Sequence, residues 1–405
     1  MIDRAKILFV TKHWPLAAAY GAQQRVLNMG RLLSRFGQVS FVIVTLEPED
    51  EETVRRTRRE FEVCRVIRPA PIALGNLVHR LQRRLRHEFD PNYLETECAA
   101  VTDADRSALL ELVRRHDIVW VHSVTTVNWC RIDRWPHSVL DVDDLPSRFY
   151  RLSAHSRGNP VRRLLDARSA WAWRRRERYH TQRFDVVTVC SEDDRQYLGN
   201  QSKMHVIPNG FARLATRFHV QSEQPRIGFI GLFKYGPNVE GVEWFIRDVW
   251  PLIKNEIPRV QLRLVGRGSN GCLSKLGPDV VELGWLEDPS DEIASWSTMI
   301  VPIKVGGGTR IKIAEGFARK CPVVSTSTGA VGYDVHDGEE ILLADRPYEF
   351  ALACIRLLRD PQLREHVSER AHRRFLEQWT WDSFESSVGR VIQECLSKSG
   401  CSQID

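Results

Sequence analysis

The stretch KVGGGTRIKIAEGFARK, Lys304–Lys320, decides the fold of the chain around it. A strand-like run, Thr298–Val301, comes before it, and apolar residues at helical spacing follow its three glycines. The stretch therefore predicts a strand, a glycine loop and a helix, with Thr309 as the residue that caps the helix. The N–H groups at the start of such a helix form an anion site.

The charges of this stretch indicate which anion the helix start would bind. Arg310 and Lys312 are cations near a helix start, where they oppose the helix dipole, and a negatively charged ligand would remove this conflict. Glu315 lies roughly 9 Å along the axis from Thr309, at about 1.5 Å per residue, which is about the reach from a diphosphate to a ribose. We therefore predict a nucleotide diphosphate site. The alternative is a surface helix with Lys312 and Glu315 as a solvated i,i+3 pair.

The bulk composition sets the class of protein. A chain of 405 residues is too long for one core and indicates two domains. Nine cysteines are scattered singly without a CxxC pair, which indicates reduced thiols and a cytoplasmic location. No run of 18 apolar residues occurs, so we expect no transmembrane helix.

The order of the predicted elements is typical of a parallel sheet. Strand Lys6–Thr11, a helix that begins near Gly21 and strand Val39–Val44 form a βαβ opening. Two later strand runs, DIVWVH and SVLDV, end at His122 and just before Asp143, at the sheet edge where ligands bind in such folds.

The pattern starts again in the second half of the chain. A polar segment, Ala212–Pro225, lacks apolar periodicity, and after it strands and helices alternate once more from Arg226–Ile230. We therefore predict an α/β protein made of two doubly wound halves of similar size.

Two tracts are strongly basic. Residues 76–89 read NLVHRLQRRLRHEF, and Ser147–Asp185 holds eleven arginines against three acidic residues, with tryptophans between them. Either tract is explained by a surface helix that packs on its domain, and an anionic membrane is the alternative partner. The sequence contains no nucleic-acid motif, so we expect no nucleic-acid binding.

Two further motifs resemble known ligand-binding patterns. Gly266–Gly271 reads GRGSNG, the dinucleotide fingerprint, but the next strand begins at Val280 and leaves no room for a long phosphate-binding helix. The D-x-D at Asp141–Asp143 resembles a metal motif, yet both residues continue a buried strand. We therefore expect neither NAD nor a metal ion.

The motifs in their order resemble a known family. VIPNG at 206–210, IGFIG followed by PNVEGVEWF, LVGRG, ELGWLED, the GGGTRIKIAEG stretch and DGEEILLAD resemble the family 4 retaining glycosyltransferases. The resemblance implies the GT-B architecture, in which two Rossmann-like domains face each other across a cleft. It places an acceptor domain at 1–215, a nucleotide-sugar donor domain at 222–375, and a helix at 376–396 that crosses back to the first domain.

The resemblance also assigns roles to residues. Glu315 matches the second glutamate of the family's E-x7-E motif, while Gly307 stands in place of the first. Leu232 and Asn238 stand where many members carry an arginine and a lysine. The implied donor-binding residues are Gly21, Lys234, Asn238, Gly307, Gly308, Thr309, Arg310, Lys312 and Glu315. The implied catalytic residues are Asp143, His122 and Arg310, with His13 as a further candidate.

The implied function is transfer of a sugar from a nucleotide-diphosphate sugar to a glycan or lipid-linked acceptor, with retention of configuration. The family needs no metal and no other cofactor. Synthesis of cell-surface polysaccharide or glycolipid is the expected context, in the cytoplasm and at the inner face of the cell membrane. The alternative is a GT-B protein that binds or epimerises a nucleotide sugar without transfer.

Overall fold

The computed structural model describes residues 5–17, 21–46, 50–71, 78, 82, 85–86, 88–91, 99–156, 159–199, 201–214, 224–271, 273, 276–305 and 308–401. The chain divides into two compact units. Unit 1 comprises Met1–Pro208 and Phe384–Asp405, and unit 2 comprises Asn209–Ser383.

Unit 1 is built on a seven-stranded parallel sheet with strand order β3-β2-β1-β6-β7-β8-β9. Its strands are β1 Ala5–Thr11, β2 Gly37–Val44, β3 Glu62–Ile67, β6 Ile118–His122, β7 Ser138–Val142, β8 Val186–Val189 and β9 Met204–Val206, and β4 Ala70–Pro71 pairs with β5 Ala99–Ala100 in a small antiparallel ladder. Its helices are α1 Gly21–Leu33, α2 Glu51–Glu60, α3 Asp103–Arg114, α4 Val124–Cys130, α5 Pro146–Ser156, α6 Pro160–Arg183 and α7 Glu192–Leu198. The central strands β1, β6 and β7 are almost wholly buried, as expected of a parallel sheet covered on both faces.

Unit 2 repeats this plan with a six-stranded parallel sheet of order β12-β11-β10-β13-β14-β15. The strands are β10 Arg226–Ile230, β11 Gln261–Val265, β12 Val280–Gly284, β13 Thr298–Val301, β14 Val323–Ser325 and β15 Leu342–Leu343. The helices are α8 Gly236–Trp244, α9 Trp250–Glu256, α10 Ser290–Ala294, α11 Ile311–Ala318, α12 Pro347–Arg359 and α13 Pro361–Gln378. A π-helical segment, Phe245–Val249, joins α8 to α9.

Each sheet has a point where the strand order reverses. In unit 1 this point lies between β1 and β6, and in unit 2 it lies between β10 and β13. Chains leave neighbouring strands in opposite directions there, which opens a crevice at the carboxyl ends of the strands. The two crevice edges are therefore the residues after Thr11 and His122 in unit 1, and after Ile230 and Val301 in unit 2.

The last helix, α14 Glu385–Cys401, groups with unit 1. His205 Nε2 lies 2.6 Å from Glu394 Oε2, and Lys398 Nζ donates to the carbonyl of Asp185 at 2.8 Å. The chain passes from unit 1 to unit 2 after Pro208. Just beyond this point Phe211 N donates to Trp379 O at 2.9 Å, and this bond attaches the chain to unit 2. No described helix has the length and apolar character needed to cross a membrane.

Candidate active site

The glycine-loop helix of unit 2 reaches the edge of β10 through one lysine. Lys312, in the first turn of α11, donates from Nζ to Asn238 Oδ1 at 2.7 Å, and Asn238 Nδ2 donates to Leu232 O at 2.8 Å. The ammonium also lies 4.1 Å from the ring centroid of Phe229. Asn238 stands where the family resemblance expects a lysine, so in this chain a cation reaches that position from another helix.

Two glycines make room for this arrangement. A Cβ at Gly231 would lie 2.9 Å from Asn238 Nδ2 and 3.2 Å from Lys312 Nζ, so a side chain there would push the pair apart. A Cβ at Gly266 would lie 1.9 Å from Gly231 O, and Gly266 has a φ of 134°, which favours glycine. Gly266, the first residue of the GRGSNG segment, therefore lets the loop after β11 pass close to the loop after β10. No helix forms in the described part of 266–279.

The surroundings of Lys312 favour its neutral form. Burial lowers the pKa of Lys312 to about 7, with a further contribution from the nearby Arg310, while Glu315 acts in the opposite direction. A phosphate bound beside Nζ would reverse this effect, because an anion stabilises the ammonium form.

The start of α11 differs from the sequence prediction. Arg310, not Thr309, is the cap residue, and Arg310 O accepts hydrogen bonds from Ile313 N at 2.9 Å and Tyr333 Oη at 3.0 Å. These two bonds to one carbonyl fix the helix start at Ile311. The prediction of Thr309 as the cap was therefore wrong. Thr309 Oγ1 is buried and has no hydrogen-bond partner among the described residues.

Glu315 lies one turn further along α11 and is paired with an arginine. Arg319 Nε and Nη2 each lie 3.1 Å from Glu315 Oε1, and Arg319 Nη1 donates to Ser290 Oγ at 2.6 Å. Burial raises the pKa of Glu315, although the attraction and hydrogen bond of Arg319 lower it. Lys312 and Glu315 therefore do not form the solvated pair of the alternative interpretation, since Lys312 bonds Asn238 and Glu315 bonds Arg319.

Four other residues were predicted to bind the donor. Gly307 lies outside the described residues, whereas Gly308 is described and its carbonyl accepts from Arg310 Nη1 at 3.2 Å. Lys234 is exposed in the loop that follows β10. Gly21 is the first residue of α1 in unit 1.

The crevice edge of unit 1 brings together the predicted histidines and carboxylate. His122 Nε2 lies 3.3 Å from Asp143 Oδ2, and His122 Nδ1 lies 3.4 Å from Thr11 Oγ1. The rings of His13 and His122 meet edge to face, with centroids 5.8 Å apart. Thus residues at the carboxyl ends of three adjacent strands, β1, β6 and β7, form one polar cluster.

The second carboxylate of the D-x-D motif has a different environment. Asp141 is fully buried and accepts from Arg25 Nη2 at 2.6 Å and from Thr188 Oγ1 at 2.6 Å. Arg25 is buried as well, and its Nη1 also donates to Ile207 O at 3.0 Å. The hydrogen-bond capacity of Asp141 is used inside the unit, so Asp141 and Asp143 have separate roles.

The protonation states of the unit 1 cluster follow from these contacts. Burial, together with the nearby Lys12 and His122, lowers the pKa of His13 to about 3, so His13 is a neutral imidazole at physiological pH. Burial alone would raise the pKa of Asp143, but His122, Arg25 and Lys12 together hold it well below its usual range. Asp143 is therefore ionised and can accept hydrogen bonds.

Sequence reasoning missed two residues that organise these edges. Arg25 neutralises Asp141, and a buried carboxylate in a strand signals that such a partner must exist. Arg319 pairs with Glu315 at i,i+4 spacing, a pattern visible in the sequence. Among the described residues, no group of three or more His, Cys, Asp or Glu side chains is arranged to hold a metal ion.

Comparison with known proteins gives two family matches. The model of the Glycosyl transferase 4-like domain matches residues 20–210, and the model of the Glycosyl transferases group 1 matches residues 224–360. A protein from Klebsiella pneumoniae, described as an uncharacterized 44.6 kDa protein in the cps region, is 22% identical over 366 residues, or 86% of this chain and 89% of its own length. A Methanocaldococcus jannaschii protein described as an uncharacterized glycosyltransferase is 29% identical over 110 residues, or 26% of this chain and 31% of its own.

Solved structures are similar over nearly the whole chain. Sucrose-phosphate synthase from Thermosynechococcus elongatus has a TM-score of 0.68 at 17% identity and covers 98% of this chain and 100% of its own. TarM has a TM-score of 0.69 at 11% identity, with 96% and 99% covered. Anabaena HepE in complex with UDP-glucose has a TM-score of 0.63 at 15% identity, with 97% and 100% covered. With both family models matched in sequence order and this likeness of fold, the chain belongs to the glycosyl transferases group 1 and has the GT-B architecture.

Proposed function

We propose that this glycosyltransferase moves a sugar from a nucleoside diphosphate sugar to a hydroxyl of a glycan or lipid-linked acceptor, with retention of configuration. The observation that carries the proposal is the excess of positive charge at the start of α11. Arg310 and Lys312 lie within two residues of each other there, and Lys312 bonds a neutral amide rather than a carboxylate. Cations in such a position oppose the helix dipole and are stabilised by a bound anion.

The donor contacts follow from this charge. The diphosphate would receive hydrogen bonds from the first N–H groups of α11 and from Lys312, with Arg310 contributing charge. Glu315, five residues after the cap, would accept from the ribose hydroxyls. Two similar structures support a nucleoside diphosphate ligand, because HepE was solved in complex with UDP-glucose and a mutant of TarM in complex with UDP.

The acceptor contacts are proposed at the unit 1 edge. Asp143 is ionised and partly accessible, so it would accept a hydrogen bond from a sugar hydroxyl, and His122 would hold the carboxylate in place. In the transfer, the bond between the sugar and the diphosphate oxygen breaks and a bond to the acceptor oxygen forms. The acceptor proton passes to the departing diphosphate, whose developing charge the α11 cations stabilise. Retention is proposed from the resemblance to family 4 and is tested by the anomeric configuration of the product.

A thermal-shift panel of UDP, GDP and ADP, and of their sugars, tests the donor site, because a bound ligand raises stability by mass action. We expect one nucleotide to raise the Tm of the wild type, and Glu315→Ala to weaken its affinity by about tenfold to a hundredfold, the value of a hydrogen bond to a charged group.

Glu292→Ala is the matched control. Glu292 forms a similar two-bond pair with Arg263 in the same unit, at 2.7 and 2.9 Å, and the two glutamates are similarly buried. Both variants should lose stability by about 1–3 kcal/mol, but only Glu315→Ala should lose nucleotide affinity. Equal nucleotide affinity in the two variants would refute the assignment of the donor site.

Product analysis separates transfer from the rival activities. Release of nucleoside diphosphate together with a glycosylated acceptor is the expected result. Consumption of the donor without any acceptor, or binding of the donor with no turnover for any acceptor class, would contradict the transferase proposal.

A further inference from the structure

Helix α6 of unit 1 exposes a stripe of large apolar side chains. Val161, Leu164 and Trp171 are 66%, 72% and 50% exposed, and Leu165 beside them is also exposed. Val161, Leu164 and Trp171 share one face of the helix with Arg168 and Arg175, because these positions are three and four residues apart. Single exposed apolar residues are common, whereas a run of them along one helix face marks a contact surface.

A second segment extends this face. Phe89 is 61% exposed and its ring centroid lies 6.4 Å from that of Trp171, while Arg175 Nη1 donates to Glu88 O at 2.7 Å. Further along, His180 Nε2 lies 3.2 Å from Pro91 O. Later residues of the segment thus meet later residues of α6, so the two run in the same direction. Leu85, four residues before Phe89, is also exposed and adds a further apolar side chain to this surface.

The helix that carries this stripe is rich in arginine. Residues 160–178 hold seven arginines against two acidic residues, and Arg162 and Arg178 are exposed. Arg175 also lies over the ring of Trp171, with its guanidinium carbon 5.0 Å from the centroid. We call the set formed by Leu85, Phe89, Val161, Leu164, Leu165 and Trp171, with Arg162 and Arg178, the arginine–leucine surface.

The chemistry of the arginine–leucine surface favours one occupant. Leucine and tryptophan flanked by arginine match the boundary between acyl chains and anionic headgroups. A nucleic acid would use the arginines and aromatic rings but would gain little from exposed leucines. A second copy of the chain would bring two basic surfaces together, at the cost of repulsion between like charges.

The apolar end of this surface projects beyond the crevice edge of unit 1. Glu177 accepts from Ser147 N at 2.9 Å, just past the end of β7, whereas Arg183 Nη2 donates to Ile132 O at 2.8 Å, at the opposite edge of the sheet. Residues 160–176 of α6 therefore extend past the edge that carries Asp143. Leu164 lies thirteen residues before Glu177, or about 20 Å at 1.5 Å per residue.

We propose that the arginine–leucine surface docks on an anionic membrane, with Leu164, Leu165 and Trp171 entering the headgroup region. Docking would place the Asp143 edge near the lipid surface, where a lipid-linked acceptor resides. Only this consequence for the acceptor rests on the proposed function, because membrane binding itself requires no sugar transfer.

Flotation with lipid vesicles tests the proposal. We expect the wild type to float with vesicles of phosphatidylglycerol and phosphatidylcholine in equal amounts, but not with phosphatidylcholine alone. Leu164→Ser with Leu165→Ser should weaken binding at least about tenfold, through lost apolar burial. Arg162→Ser with Arg178→Ser should weaken it by about fivefold for each arginine at low salt.

A matched control is Tyr348→Ser with Leu352→Ser, two exposed apolar residues on α12 of unit 2, which should bind vesicles as the wild type does. Each variant should keep its urea midpoint and its nucleotide-induced Tm shift, because the changed side chains are exposed and lie outside the proposed donor site. Loss of flotation with these two values intact supports the surface and leaves the donor proposal unaffected.

Three results would overturn the docking proposal. The first is no flotation of the wild type with anionic vesicles. The second is wild-type binding by the leucine variant together with competition by single-stranded DNA, which would indicate a surface that recognises charge alone. The third is a wild-type dimer in sedimentation velocity that the leucine variant converts to monomer, which would indicate self-association.

Discussion

The crevice edges of the two sheets have the same topology, but they differ in how their charged side chains are paired. At the unit 1 edge, Arg25 is paired with Asp141, and His122 lies 3.3 Å from Asp143, so each carboxylate has a partner beside it. At the unit 2 edge, the cap residue Arg310 and Lys312 in the first turn of α11 lie close together, and Lys312 donates to the amide of Asn238.

This difference is informative because charges inside a protein are costly unless they are compensated. A compensated edge can hold a neutral sugar and accept hydrogen bonds from its hydroxyls. An edge with excess positive charge keeps an unfavourable arrangement that an anionic ligand relieves. The distribution of charge therefore assigns the acceptor to unit 1 and the diphosphate to unit 2 in our proposal.

The largest loss of stability is expected when the buried pair of Arg25 and Asp141 is broken. Asp141→Asn removes a fully buried carboxylate from Arg25 and leaves an uncompensated guanidinium, which should lower the free energy of unfolding by about 3–5 kcal/mol. Urea denaturation followed by circular dichroism measures this loss. A loss below about 1 kcal/mol would contradict a structural role for the pair.

The neighbouring carboxylate should behave in the opposite way. Asp143→Asn keeps the shape of a partly accessible side chain but removes a carboxylate whose neighbours stabilise its charge, so the free energy of unfolding should fall by less than in Asp141→Asn. Transfer to the acceptor should fall at least about a hundredfold, or about 3 kcal/mol. Initial rates with donor and acceptor at saturation measure the loss, and nucleotide affinity in the thermal-shift assay is the control. An Asp143 variant that is unstable yet fully active per folded molecule would exchange the roles assigned to the two aspartates.

The contrast between these aspartates also marks the limit of sequence reasoning. Buried apolar runs and glycine loops are local signals, so the alternation of strands and helices, its restart near Arg226 and the ends of the strands at His122 and Asp143 could be predicted. Asp141 and Asp143 are two residues apart in the same run. Their environments diverge through Arg25, which is 116 residues away from Asp141 and could not be paired with it from local patterns.

Long-range contacts also explain why the sequence did not predict the partner of Lys312 or the start of α11. Lys312 meets Asn238 across 74 residues, and Gly231 leaves free the space next to this pair that a side chain would occupy. Thr309 has the right chemistry for a cap, but Tyr333 fixes the preceding turn through the carbonyl of Arg310, and the helix begins later. In both cases the local sequence allows more than one arrangement, and a contact with a distant residue determines which one forms.

A smaller effect, on nucleotide affinity, is expected when one positive charge is removed from the start of α11. Lys312→Met should weaken nucleotide binding by about tenfold at pH 6, where the lysine is protonated in the wild type, because one charge-assisted hydrogen bond to phosphate is lost. Lys304→Met is the matched control, since Lys304 belongs to the same stretch but is exposed and lies over the ring of Trp244, 4.3 Å from its centroid. Isothermal titration calorimetry should find the control unchanged.

The smallest effect is a dependence of nucleotide affinity on pH. Lys312 has a pKa of about 7 without ligand, so its positive charge is present below pH 7 and is lost as the pH rises above it. Binding a diphosphate above pH 7 then requires proton uptake, and affinity should fall by up to about tenfold between pH 6 and pH 8. The phosphate of the nucleotide titrates in the same range and gains negative charge with rising pH, which acts in the opposite direction. Lys312→Arg separates the two effects, because the guanidinium stays protonated and only the phosphate changes. Parallel profiles for the wild type and Lys312→Arg would mean that the ammonium of Lys312 does not contact the diphosphate.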